Sequence, residues 1–363
     1  AVQLSISAAD IVTENPYEEA GNDGSGDVTV YVSASTPEEL AGDTAYDFAT
    51  NTEYKINHVY FDKDGNETTE KPEEMADYSG YTLKDVTDGT ITMEQFVSGL
   101  SLMQMADLVE GGSKSPNADG QSSGGASPST KEAGQDVVDY TNEVGVNGQA
   151  GQTVGLYANT KAIPSMTNAD GPAGLRISQS YTGLDGNDYY QYCTAYPVGT
   201  MIAQTWNTDL AYTMGLNVGQ EMEQYGVTQW LAPGMNIHRN PLCGRNFEYY
   251  SEDPFVTGKL AGAMVRGIQS NNVGATLKHF ALNNKETNRK NSDSRVSERA
   301  AREIYLKAFE MIVKNDNPWA IMSSYNMING YRASESEDLL TGILRDEWGY
   351  EGMVTTDWWT CGE

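Results

Sequence analysis

Cysteine is scarce in this chain of 363 residues: there are three, Cys193, Cys243 and Cys361. An odd number without metal-ligand spacing supports neither a disulfide framework nor a zinc site, and buried free thiols are the plain reading. Long apolar runs are missing as well. "WAIM" and "MVTT" fall far short of the ~20 residues that a membrane span requires. Positive charge is also sparse: 23 Lys and Arg stand against 51 Asp and Glu, a formal charge of −28. Such a surface repels nucleic acid and anionic membranes. The chain does not begin with Met and nothing resembling a signal peptide precedes Ala1. Opening inside "AVQLSIS" and closing inside "TCGE", it reads as a piece of a longer protein. Localisation stays open, with a secreted or cell-surface bacterial protein slightly preferred over a cytoplasmic one.

Residues 1–75 favour alternating, β-branched and aromatic residues with turn formers between them, as in "VQLSIS", "DVTVYVSAS" and "TEYKINHVYF". They read as a small β-rich region. "FDKDGNETTE" superficially suggests a calcium loop through Asp62, Asp64 and Asn66. However, its glycine falls one place early and the last ligand position has no glutamate. A hairpin turn at Asp64 and Gly65 is the better fit. Residues 117–136, rich in Gly, Ser and Pro, read as a long solvated loop.

From about residue 90 onward helical periods alternate with short apolar runs. Thr92 and Gln95 have capping-box spacing. Four helical stripes stand out: Leu210, Met214, Val218, Met222 and Tyr225, ended by Gly226; Phe255, Leu260, Met264 and Ile268; Ala301, Ile304, Ala308, Phe309 and Ile312, opened by Ser297; and Leu339, Leu340, Ile343 and Leu344 within about 335–348. The first three precede "VTQWLA", "VGATLKHF" and "WAIMSSYN", and the fourth leads into "GMVTTD". Helix and strand in this alternation argue for parallel strands with crossover helices, in a (β/α)8 barrel or a doubly wound sheet. No Gly-rich phosphate fingerprint opens a helix, which favours the barrel.

The strand ends lead into "NADGPAGLR", "NIHRNPLCGRNFEYYSEDP", "LKHFALNNKETNR", "SSYNMING" and "TTDWW". Barrel active sites are built in such loops. Gathered at one mouth, they supply carboxylates, cations and aromatic faces without a phosphate loop or metal cluster. That mixture suits a neutral polyhydroxylated ligand such as a sugar, with charged hydrogen bonds to its hydroxyls and its ring packed on Trp or Tyr. Each residue also has a structural reading. Asp357 is a nucleophile kept ionised by Lys278 and Arg245, or a helix cap. Lys278 and His279 share a pocket only if the strand bends between them, since neighbours on a straight strand face opposite ways. Arg245 is a ligand group or a structural partner of Glu248 or Glu252. Asp170 is a ligand group or a turn former before Gly171 and Pro172.

Taken together, these strings resemble glycoside hydrolase family 3, the β-glucosidase and β-xylosidase family. "DGPAGLR", "NIHRNPLCGRNFEYYSEDP", "KHFALNNKETNR", "VSERAAREIYLKAFE", "SYNMING" and "ILRDEWGYEGMVTTDWW" follow the family's order from about residue 80 to the end. The resemblance implies an incomplete (β/α)8 barrel over residues 76–363. It makes residues 1–75 the end of a fibronectin type III-like domain or a linker, in the family's less common domain order. It implies Asp357 as nucleophile, Asp170, Arg245, Lys278, His279 and Tyr325 as holders of the glycone hydroxyls, and Trp358 as a wall of that subsite. The implied reaction is exo-acting hydrolysis of terminal β-D-glucosyl residues with retention, or a sister specificity such as β-xylosidase. A sugar-binding relative without catalysis, or an inert fragment, is the reading from another class. The loop "KHFALNNKETNR" lacks the proline and second histidine of the family's N-acetylglucosaminide-cleaving members. No acid/base residue is found in this chain; the resemblance places it on an α/β sandwich domain in another part of the same protein. The chemistry requires carboxylates and water, and no metal, nucleotide or flavin cofactor.

Overall fold

The computed structural model describes residues 29–32, 60–68, 70–109, 111–112, 146–153, 155–156, 161–182 and 185–360. Its centre is a seven-stranded sheet. From one edge the order is Met353–Thr356, Ala320–Ser323, Gly274–Phe280, Gln229–Trp230, Thr167–Ala169, Gly151–Thr153 and Gly111–Gly112. The first five are parallel, each paired with the strand that precedes it in the sheet-forming sequence. The last two add on antiparallel. Strands that enter the sheet one after another in a single direction make a barrel's winding; a doubly wound sheet would reverse its order part-way. The result is a curled half-barrel, open at both edges among the described residues.

The crossover helices start and stop where the side chains dictate. Asn207 Oδ1 accepts the N–H groups of Asp209 (2.9 Å) and Leu210 (3.1 Å), opening Thr208–Tyr225, and Gly226 ends it in the left-handed region at φ 74°. Asp253 Oδ1 caps Pro254–Gln269 in the same way, with proline at the first helical position. Ser297 Oγ accepts from the Ala300 N–H, and the chain continues through a π-helical turn at Ala301–Tyr305 into Lys307–Asp316. The last crossover, Asp338–Glu347, is π-helical throughout and somewhat shorter than its apolar stripe suggested.

Two stripe residues point away from the core. Leu210 is 49% exposed and Phe255 59% exposed. The buried face of Thr208–Tyr225 is instead Ala211, Met214, Gly215, Val218, Gly219 and Met222. Small residues decide it. A Cβ on Gly215 would stand 2.3 Å from the Met264 carbonyl oxygen, and one on Gly267 2.2 Å from that of Tyr212, so the two helices touch backbone to backbone. A hydrophobicity pattern gives no weight to such a seam. Elsewhere aromatic rings fill the core: Phe280 meets Phe309 edge-on at 5.1 Å and Trp348 at 5.9 Å. Such rings contribute about 1.5–3 kcal/mol each through burial.

Before the barrel, Tyr60–Phe61 and Glu67–Thr68 form an antiparallel hairpin. Asp62 Oδ1 accepts the N–H groups of Asp64 and Asn66, both at 2.9 Å, and Gly65 takes φ 83°. The Asp62 carboxylate is therefore consumed by its own turn. Thr92 and Gln95 exchange both bonds of a capping box. Thr29–Val32, from "DVTVYVSAS", pairs in parallel with Asp293–Val296. The rest of residues 1–59 and the 117–136 loop lie outside the described residues.

Candidate active site

All the site residues expected from the sequence sit at the C-terminal ends of the parallel strands or in the loops just beyond them. Asp170 follows Thr167–Ala169, Arg245 lies in the loop after Gln229–Trp230, Tyr325 follows Ala320–Ser323, and Asp357 follows Met353–Thr356. Lys278 and His279 lie within Gly274–Phe280, where the pairing register with Ala320–Ser323 shifts between Lys278 and Phe280. That irregularity breaks the alternation of a straight strand, and both side chains reach acidic partners of the same cluster. The peptide bonds 278–279 and 280–281 are cis.

One half of the site is a charge network centred on the buried Lys278 and Glu248. Lys278 Nζ donates to Asp170 Oδ1 at 3.0 Å and lies 4.0 Å from Glu248 Oε2. Arg245 Nε donates to the other oxygen of Glu248, and Arg176 donates to Asp170 Oδ2. Burial alone would raise the Asp170 carboxyl, but Lys278, the Gly171 N–H and Arg176 together hold it below the usual aspartate value. The turn that delivers Asp170 needs glycine: Gly171 has φ 105°, and a Cβ there would meet the Gly174 carbonyl oxygen at 2.2 Å. Arg245 is thus both the structural partner of Glu248 and a cation facing the site.

Asp357 dominates the other half. Its Oδ1 accepts the Trp358 backbone N–H at 2.8 Å. Oδ2 is buried, has no hydrogen-bond partner among the described residues, and lies 3.6 Å from His279 Nε2. Burial pushes the carboxyl above the ordinary aspartate value, while the Trp358 N–H, Arg245, Lys278 and the nearby Tyr325 hydroxyl work in the opposite direction. His279 is fully buried, and burial together with Arg245, Lys278 and Arg289 holds it well below 6.5. The contact between His279 and Asp357 is therefore one of a neutral imidazole with a carboxyl group. Tyr325 donates to the Trp358 carbonyl at 2.7 Å, and Trp358 Nε1 donates to the Ala150 carbonyl at 3.1 Å, so both aromatic residues tie the Asp357 turn to the sheet.

The family profile described as "Glycosyl hydrolase family 3 N terminal domain" matches residues 153–363. The chain belongs to glycosyl hydrolase family 3. Beta-glucosidase A of Butyrivibrio fibrisolvens is 50% identical to it over 281 residues, 77% of this chain and 29% of that protein. Exo-alpha-(1->6)-L-arabinopyranosidase of Bifidobacterium longum is 48% identical over 200 residues, 55% of this chain and 26% of its own length. Among solved structures, beta-glucosidase 3B from Thermotoga neapolitana in complex with alpha-D-glucose superposes with a TM-score of 0.61 at 45% identity, over 72% of this chain and 33% of that one. A beta-glucosidase from Paenibacillus barengoltzii gives 0.63 at 41% identity, over 77% and 26%. This family 3 chain thus spans less than a third of the length of the Butyrivibrio and Bifidobacterium relatives.

Several residues of this cluster are not singled out by the sequence. Glu248, buried between Arg245 and Lys278, has only a structural reading in the sequence. Arg176 and Tyr249 lie inside "DGPAGLR" and "GRNFEYYSEDP", where nothing local marks a role for them. Asn236 holds the His279 backbone on both sides, accepting its N–H at 2.9 Å and donating to its carbonyl at 2.8 Å. Arg289 lies 4.5 Å over the Tyr325 ring and donates to Glu286 at 2.9 Å. The signal for Arg176 and Arg289 was present: a net-acidic chain keeps few cations, and these two lie in loops already marked as site-forming. The carboxylates gathered near Asp357 are each tied to a cation: Asp170 to Lys278 and Arg176, Glu248 to Arg245, and Glu286 to Arg289.

Proposed function

We propose that this chain forms the nucleophile-bearing, glycone-holding part of a retaining exo-β-glycosidase, a β-glucosidase acting on terminal β-D-glucosyl residues. The observation that carries it is the Asp357 carboxylate. One oxygen is fixed by the Trp358 N–H, the other is buried 3.6 Å from His279 Nε2, and Arg245, Lys278 and the Tyr325 hydroxyl act on the carboxyl group to favour its ionised form. An attacking carboxylate needs that arrangement: a fixed direction, a free lone pair, and positive charge that favours its ionised form. Asp170, Lys278, Arg245 and His279 line the approach as charged and neutral hydrogen-bonding groups for sugar hydroxyls, with Tyr325 and Trp358 beside the Asp357 turn. Attack at the anomeric carbon gives a glycosyl-enzyme, and water then releases the sugar with retention.

The departing oxygen needs a proton from a second carboxyl group, roughly 5 Å from the first in retaining enzymes. Asp170, Glu248 and Glu286 are each engaged by a cation, which suits hydroxyl recognition and opposes acid catalysis. The acid is proposed to come from an α/β sandwich domain of the same protein. The greater length of the matched relatives is compatible with this.

A second reading, another glycone on the same machinery, is favoured by the arabinopyranosidase relative at 48% identity. A purely sugar-binding role predicts no turnover by the unmodified protein. The test is turnover of a fluorogenic β-glucoside by the full-length gene product and its Asp357→Ala variant, with β-xyloside and α-L-arabinopyranoside in parallel. A loss of at least about 10³-fold on the preferred substrate is expected for removal of a nucleophile; undiminished turnover would overturn the proposal.

A further inference from the structure

The orientation of one buried imidazole can be followed bond by bond from an ion pair that lies away from it. Arg289 donates to Glu286 Oε2 at 2.9 Å. A carboxylate so engaged only accepts, so the group that Asn283 turns toward Glu286 Oε1, at 3.1 Å, is its amide nitrogen. The same nitrogen has a second hydrogen, and it donates to the Tyr249 hydroxyl at 3.1 Å. Tyr249 is fully buried, and among the described residues its hydroxyl has two hydrogen-bond partners, Asn283 and His279 Nδ1, the latter at 3.0 Å. If Nδ1 carried the proton, the Tyr249 O–H would be left buried without an acceptor, the costly alternative. The phenol therefore donates to Nδ1, and the remaining imidazole proton sits on Nε2. Nε2 is the nitrogen that lies 3.6 Å from Asp357 Oδ2.

From this geometry we infer that Tyr249 is a positioning residue, which together with Asn283 fixes His279 in the Nε2–H tautomer, so that an N–H rather than a lone pair faces the nucleophile and the glycone. The inference rests on the glycosidase reading for its catalytic consequence, but the tautomer stands on the hydrogen bonds alone. Both groups keep the charge state this requires: burial raises the Tyr249 phenol well above 10 and lowers His279 well below 6.5. The His279 backbone is held on both sides by Asn236, so loss of the phenol would free the choice of ring proton rather than the position of the chain. With the other tautomer, a lone pair would point at the Asp357 carboxylate, tighten its hold on a proton and remove a donor from the sugar.

The test is 15N NMR of the histidine rings in the full-length protein without substrate, with His279 assigned by the signals lost in His279→Gln. The expected spectrum has His279 protonated at Nε2 and unprotonated at Nδ1. In Tyr249→Phe that pattern is expected to become mixed or reversed, and the acidic limb of kcat/KM to move to higher pH, with kcat/KM about tenfold lower near that limb. Asn283→Leu, which removes the donor that commits the Tyr249 proton, is the second variant and is expected to mix the tautomers as well. An Nδ1–H pattern in the unmodified protein would overturn the inference whatever the variants do. So would an unchanged pattern and pH profile in a folded Tyr249→Phe. Because the ring spectrum is read without turnover, a failure of the glycosidase assignment would show in the Asp357→Ala assay and leave this result distinct.

Discussion

Lys278 and His279 are consecutive, yet Lys278 Nζ is bonded to Asp170 at 3.0 Å while His279 Nε2 faces Asp357 Oδ2 at 3.6 Å. One strand thus serves both halves of the site: the charged half that would hold the glycone and the half that would attack it. The register shift between Lys278 and Phe280 is what lets neighbouring residues do this.

Lys278 is the hub of the charged half, reaching both Asp170 and Glu248 from a buried position. Lys278→Met leaves two carboxylates short of a buried cation. Removing one partner of a buried pair costs about 3–5 kcal/mol. The midpoint of urea unfolding is expected to fall accordingly, and kcat/KM for the β-glucoside to fall by about 10²-fold or more as the hydroxyl-binding group is lost.

Asp357 binds its proton more tightly in the folded protein than an ordinary aspartate, because burial outweighs Trp358, Arg245, Lys278 and Tyr325. The sign follows. Its raised folded value favours the fold at low pH, and that contribution is lost as pH rises through the folded value, over the same range in which the proposed nucleophile becomes competent. The acidic limb of kcat/KM is expected above the 3.8 of an ordinary aspartate. Arg245→Met removes an opposing cation and should move that limb to still higher pH.

His279 runs the other way. Its folded value is depressed well below 6.5, so as pH falls through 6.5 the unfolded chain takes up a proton that the folded chain refuses. Stability is then lost with falling pH, by at most about 1.4 kcal/mol per pH unit. Scanning Tm from about pH 7 down to about pH 5 should show a steeper fall for the unmodified protein than for His279→Gln. Parallel curves would contradict a buried neutral imidazole.

Gly171→Ala tests the turn that aims Asp170. At φ 105°, with a carbonyl oxygen 2.2 Å from the new Cβ, the loop has to shift. The expected cost is more than about 1 kcal/mol, with a loss of kcat/KM larger than the loss of stability accounts for. Gly89→Ala, also at positive φ but with open space around its Cβ, is the control for strain without a clash.

The sequence was informative where chemistry and chain order coincide. Asp170, Arg245, Lys278, His279, Tyr325 and Asp357 each lie beside a strand with an apolar or β-branched signature, and parallel winding brings those strand ends to one rim. What stayed hidden were features that side-chain type does not encode. The Gly215–Gly267 seam displaced Leu210 from the expected buried face because close backbone approach outweighs hydrophobic periodicity. The Tyr249–His279 contact depends on residues 30 apart in the chain, and no local pattern marks it. Arg245 shows a third kind of ambiguity. Its structural reading as a partner of Glu248 holds together with a position facing Asp357, because a guanidinium has several donors to share.

The most direct test of the central claim is to trap the glycosyl-enzyme. The full-length protein would be treated with a 2-deoxy-2-fluoro-β-glucoside carrying a good leaving group, quenched, digested and examined by mass spectrometry. A retaining enzyme that uses Asp357 should carry one fluoroglucosyl group on the peptide containing "TTDWW", bonded through the Asp357 carboxylate, and Asp357→Ala should carry none. A fluoroglucosyl group on another carboxylate, or hydrolysis of a β-glucoside with inversion, would contradict it.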